Sequence, residues 1–244
     1  MVQTKKMLVL PEARISELIS ENPYLMLMLE HFGITLLVQD KTVRQLCKEN
    51  NVSEELFLSF ANLFIGHQSS ATITYSFTDL KTITLFLRNT HQYYLEEKYP
   101  QIRCYIAQMF ELNNQSAMQM VEKFFDQYFA EVKEHLQYED QIVFTYVNNL
   151  FDCYEKKQSA CLPGNYSVSD YQEHHDDIED KLEDLKNLLL KHLPLDNDQQ
   201  IRRKLLFSLF ELEYDLNIHT RIEDEIFIPL VEKMERTIKT SYGK

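Results

Sequence analysis

Four stretches of this chain step their apolar residues alternately by three and four, a period that commits each of them to a helix burying one seam. The first and loosest reads Leu80, Ile83, Leu87, His91, Leu95. The second reads Met118, Val121, Phe125, Tyr128, Val132, His135, Glu139, Ile142. The third reads Val168, Tyr171, His175, Ile178, Leu182, Leu185, Leu189. The fourth reads Leu205, Leu209, Leu212, Leu216, His219, Glu223, Ile226, Leu230. With 4 glycines and 6 prolines in 244 residues, the chain lacks the punctuation that a many-turned β fold needs. Leu162-Pro163-Gly164-Asn165 marks a turn between two hairpins, and Pro194 closes the third helix. The expected fold is all-α, with an up-down four-helix bundle over residues 79–244.

A small helical N-terminal domain is expected before it, at residues 1–66, joined by a Ser/Thr-rich linker at 67–78. Leu10-Pro11-Glu12 opens a helix, and Asn22-Pro23 opens a second that Phe32-Gly33 stops. Asp40 and Ser53 read as N-caps of a third and a fourth.

The seams carry chemistry as well as packing. His135-x-x-x-Glu139-Asp140-x-Ile142, with Val147 beyond, repeats as His219-x-x-x-Glu223-Asp224-x-Ile226, with Val231 at the matching offset. His91 precedes the first pair by 44 residues, and His175 precedes the second by 44. Residues four apart on a helix lie one turn apart on the same face, so each pair offers an imidazole and a carboxylate to one point. A lone histidine on an apolar face is usually a satisfied core residue. Here that reading must hold for four histidines separately, and must also explain two glutamates on the same seams. An unpartnered buried carboxylate costs several kcal/mol. Metal coordination accounts for all six.

The predicted ligands are therefore His91, His135, Glu139, His175, His219 and Glu223, enough for two ions. Mixed imidazole and carboxylate donors suit iron, manganese or zinc, and no cysteine lies on a seam to favour a softer ion. Two iron ions bridged by the glutamates, with an oxo or hydroxo group between them, would keep open positions for chemistry or a diatomic ligand. The order and spacing differ from the Glu-x-x-His pairs of ferritin-like proteins. His174 competes with His175 for the third-helix position, and Glu179 falls one place off the seam. His31, His67 and His192 have no carboxylate at ligand spacing and read as ordinary. Tyr94 and Tyr138 stand close enough in sequence to bond a bridging oxygen, though tyrosines so spaced usually pack the core.

A formal charge of −13 and a pI near 5.1 exclude a broad nucleic-acid surface and disfavour anionic membranes. No apolar run approaches the roughly 20 residues of a spanning helix, and Met1–Leu10 lacks the form of a secretory signal. Cys47, Cys104, Cys153 and Cys161 show neither zinc-knuckle spacing nor a disulfide framework, so a reducing cytoplasm is the expected address. A homodimer is left open.

The ligand pattern resembles the hemerythrin-like superfamily, and more closely its repair-of-iron-centres members, di-iron proteins linked to nitrosative and oxidative stress. Their succession of a lone His, His-x-x-x-Glu, a lone His and His-x-x-x-Glu falls on the six residues named above. Oxygen-carrying hemerythrins instead place two histidines on the third helix and an aspartate five residues after the fourth-helix histidine, which fits less well. The family's N-terminal Asn-Pro helix and Phe-Gly-Ile are matched by Asn22-Pro23 and Phe32-Gly33-Ile34, so the likeness spans nearly the whole chain. Where those relatives continue Asp-Phe-Cys-Cys-Gly-Gly, this chain has Thr35-Leu36-Leu37-Val38-Gln39-Asp40, and Leu37 and Val38 supply no thiolate. The resemblance implies an iron-handling or binding protein more than a turnover enzyme. It would support repair of iron–sulfur proteins. The alternative is a sensor or carrier of O2 or NO signalling through its N-terminal domain, and a third reading has that domain as an interaction module beside a vestigial site.

Overall fold

The computed structural model describes residues 8–67, 74–113, 116–157, 166–173, 180–193 and 198–242. Every named element among them is a helix, and an isolated antiparallel bridge joins Arg14 to Thr42. Four short helices come first: α1 (Ile15–Glu21), α2 (Leu25–His31), α3 (Val43–Asn50) and α4 (Glu54–Phe64). Then α5 (Asp79–Gln92) passes through a π-helical segment, Tyr93–Lys98, into α6 (Tyr99–Asn113). Likewise α7 (Ser116–Tyr138) passes through Glu139–Val143 into α8 (Phe144–Lys156). After α9 (Val168–Glu173), α10 (Asp180–Asn187) ends in the π-helical Leu188–His192. Last, α11 (Gln199–Ile222) passes through Glu223–Phe227 into α12 (Ile228–Tyr242).

Local chemistry explains the short helices, with two corrections. The first helix starts at Ile15, not at Pro11, because the backbone there bonds to another strand of chain: Ile15 N–H donates to Lys41 O and Val43 N–H to Ala13 O, both at 3.0 Å. Asn22 shapes the entry to α2, accepting from Tyr24 N–H at 3.2 Å and donating to Phe64 O at 2.7 Å. Gly33 takes φ +70°, a conformation that favours glycine, and the Gly33 and Ile34 N–H groups close the end of α2 on Glu30 O and Leu29 O. The cap of α3 is Thr42 rather than Asp40. Thr42 and Gln45 form a reciprocal capping box, whereas Asp40 lies in solvent. Ser53 caps α4 as expected, accepting from Leu56 N–H.

The chain divides into two compact units. One comprises residues 1–89, 146–168 and 218–244. Its core contains an aromatic cluster in which Phe32, Phe57, Phe60 and Phe86 pack at centroid distances of 4.8–5.5 Å. Each such ring contributes about 1.5–3 kcal/mol on burial, so α2, α4 and the start of α5 share one core. His31 is part of it, edge-on to Phe86 at 5.3 Å. The other unit comprises residues 90–145 and 169–217. Its core runs from Tyr94 and Tyr99 through Met118, Phe125, Val132 and Leu136 to Leu182, Leu209 and Leu216. Polar groups at this core include three pairs: Tyr94 donates to Asp215 at 2.9 Å, part-buried Tyr93 to Glu211 at 2.7 Å, and Lys98 lies on Glu211 at 2.6 Å.

The π-helical segments revise the seam. Three of them have a proline two positions further along the sequence, at Pro100, Pro194 and Pro229. Proline has no N–H and its ring crowds the carbonyl four residues back, and a wider turn relieves both conflicts. No proline follows Glu139–Val143, yet its turn is widened all the same. There the buried residue after Glu139 is Val143, and Ile142, expected on the seam, is 44% exposed. In the second copy Ile226 and Phe227 are both buried, as are Val147 and Val231.

Cys47 is free and buried, and Cys104 is free and exposed. Cys153 is disulfide-bonded, a pairing that its sequence spacing did not suggest. No described helix is long and apolar enough to cross a membrane.

Candidate metal centre

The candidate ligands sit where helices change register. His91 is the penultimate residue of α5, two residues before a π-helical turn, while Glu139 and Glu223 each open one. The repeat seen in sequence is thus a repeat of backbone: in both copies an α-helix carries the histidine, and the glutamate begins a five-residue widened turn. Such turns are rare and cluster at functional sites.

Glu139 is wholly buried and stands between two imidazoles. His135 Nε2 lies 3.1 Å from its Oε1, and His91 Nε2 lies 3.1 Å from its Oε2. The Tyr171 hydroxyl donates to Oε1 at 2.6 Å. The other ring nitrogen of His91, Nδ1, lies 3.3 Å from Asp140 Oδ1, and the ring stacks on Phe144 at 5.5 Å between centroids. In the second copy His219 Nε2 lies 3.5 Å from Glu223 Oε2, both buried.

The electrostatics of Glu139 and His91 are those of a cation site. Burial drives the His91 imidazole toward its neutral form, but the carboxylates of Asp140 and Glu139 outweigh it and its pKa is raised to about 9. Burial also works against the charge on Glu139, yet His135 and His91 hold its carboxyl well below the usual range. In the metal-free protein, a proton on His91 supplies positive charge beside this buried carboxylate. A metal ion would replace that proton with better geometry, because it accepts the imidazole and carboxylate lone pairs directly. The donor set of His91, His135 and Glu139 therefore fits a metal.

The structure brings together His91, His135 and Glu139 around one carboxylate, and pairs His219 with Glu223. His175, its rival His174, and Glu179 lie outside the described residues. Of the tyrosines singled out in sequence, Tyr94 bonds Asp215, not a candidate ligand. Tyr171 is a phenol that reaches one, Glu139. Its position on the third seam, four residues before His175, was the available signal. Asp140 was visible as part of the repeat, but its approach to His91 depends on how two helices register against each other. No family model matches the chain, and no curated protein or solved structure matches it.

Proposed function

We propose that this protein holds two non-haem iron ions with His91, His135, Glu139, His175, His219 and Glu223, on four long helical passages arranged as an up-down bundle, and uses them to handle iron under nitrosative or oxidative stress. The observation that carries the reading is the position of Glu139: each of its two oxygens faces a different imidazole. A carboxylate so placed is suited to bridge two ions. Glu223, buried one helical turn from His219, would be the second bridge. When bound, such a centre supplies open coordination positions and one-electron chemistry at neutral pH. The chain's own residues bind and orient it. Tyr171 fixes one oxygen of Glu139, and Phe144 braces the His91 ring.

Repair of iron–sulfur proteins requires iron that can leave. A second reading, in which iron stays and O2 or NO binds, is favoured by burial: His91, Glu139, His219 and Glu223 are each no more than 3% exposed. One experiment separates the two. The ferrous protein is mixed anaerobically with an apo iron–sulfur enzyme and, in parallel, exposed to NO. Restored activity with loss of iron from this chain supports iron handling. Retention of both ions through reversible NO or O2 binding, with no transfer, supports the sensor.

A further inference from the structure

We propose that Asp140 is a positioning residue for His91: it accepts the Nδ1 hydrogen and so leaves Nε2, with its lone pair, for the metal. The inference rests on the metal reading above and adds a residue outside the six ligands. Three observations carry it. His91 presents its two nitrogens to two consecutive acidic residues, Nε2 to Glu139 at 3.1 Å and Nδ1 to Asp140 at 3.3 Å. Its ring lies nearly parallel to Phe144, at an interplanar angle of 20°, so rotation about the ring axis is restricted. And Asp140 is 36% exposed at its side chain, open to water, yet turns one oxygen to the imidazole.

The backbone explains how neighbours in sequence reach both sides of one ring. On an α-helix consecutive side chains diverge by about 100°. In the π-helical turn that starts at Glu139 the angle is only modestly smaller, so Glu139 and Asp140 leave the helix about a quarter turn apart, one wholly buried and the other part-exposed. From these two directions the carboxylates approach different nitrogens of the one His91 ring. Asp224 holds the equivalent place after Glu223 in the second π-helical turn. A carboxylate on the outer nitrogen of a ligand histidine selects the tautomer, orients the ring and raises its basicity, and losing it costs about 10–100-fold in metal affinity.

The test is an anaerobic Fe(II) titration of the full chain and of Asp140→Ala, Asp140→Asn and, as a surface control, Asp152→Ala, whose exposed carboxylate pairs with exposed Lys156. Nitrogen-15 NMR of the zinc-loaded proteins reports the His91 Nδ1 hydrogen directly. Asp140→Ala is expected to weaken Fe(II) binding about 10–100-fold and to lose the protected Nδ1–H signal. Asp140→Asn, which still accepts through its amide oxygen, keeps that signal and loses less affinity. Asp152→Ala binds as wild type does. Wild-type affinity in Asp140→Ala, or in Asp140→Asn with the Nδ1–H signal gone should the alanine variant not fold, overturns the role of Asp140 and leaves the metal reading standing. A wild-type chain that takes up neither Fe(II) nor Zn(II) overturns both.

Discussion

Replacing Glu139 probes the candidate site from both the stability and the metal side. In the metal-free chain its carboxylate has no exposure and meets three groups: His91 Nε2 and His135 Nε2 at 3.1 Å each, and the Tyr171 hydroxyl at 2.6 Å. Glu139→Ala strands all three. Removing one member of a buried ion pair costs about 3–5 kcal/mol, and a stranded buried hydroxyl about 1–3 kcal/mol. These costs overlap, because His91 can shed its proton once the carboxylate is gone, so the expected loss is about 3–5 kcal/mol rather than the sum. Glu139→Gln keeps an acceptor for Tyr171 and loses only the charge, so about 1–3 kcal/mol is expected. Urea unfolding of chelator-stripped protein reads both values as shifts in midpoint at constant slope. Iron analysis then separates packing from ligation: both variants should hold fewer than two irons per chain, although the glutamine variant remains much the more stable. A stripped Glu139→Ala protein that unfolds with wild type, or either variant retaining two irons, would refute the reasoning.

The pH dependence follows from the two shifted groups. In the metal-free protein the His91 pKa is raised to about 9, so its contribution to stability is complete below the unfolded value of about 6.5 and is lost as pH rises through about 9. Glu139 is depressed, so its contribution is present above the ordinary carboxylate range and is lost as pH falls through its lowered value. Stability of the stripped chain should therefore fall between neutral and pH 9, while Fe(II) affinity rises over the same interval as the proton leaves His91; flat profiles in both would contradict this. Tyr171→Phe removes a hydrogen bond to a charged acceptor and should cost about 1.5–3 kcal/mol in urea unfolding, with Glu139 still binding metal. His135→Ala and His219→Ala should lower iron content, and His31→Ala and His192→Ala should not, as read by metal analysis. Burial pushes the Cys47 thiol up to about 12, so a thiol reagent at neutral pH should label exposed Cys104 and spare Cys47.

Much of this was legible before any coordinates. The three- and four-residue steps placed His91, Glu139, His219 and Glu223 on buried faces, and all four are buried. What periodicity could not supply was a local change of period. It extended the seam to Ile142, whereas the widened turn at Glu139 buries Val143 and turns Ile142 outward. Capping was read correctly at Ser53 and misplaced at Asp40, because Thr42 with Gln45 satisfies two N–H groups where a lone aspartate satisfies one. Contacts across helices, such as Tyr171 to Glu139 and Asp140 to His91, depend on register between elements distant in sequence. Spacing along one helix carries no information about that register.

Diffraction at the iron absorption edge from crystals of iron-loaded protein tests the central claim most directly. Two anomalous peaks per chain are expected, one within bonding distance of His91 and one of His135, with Glu139 reaching both. A single peak shifted to the zinc edge, or iron density away from these residues, would contradict the account.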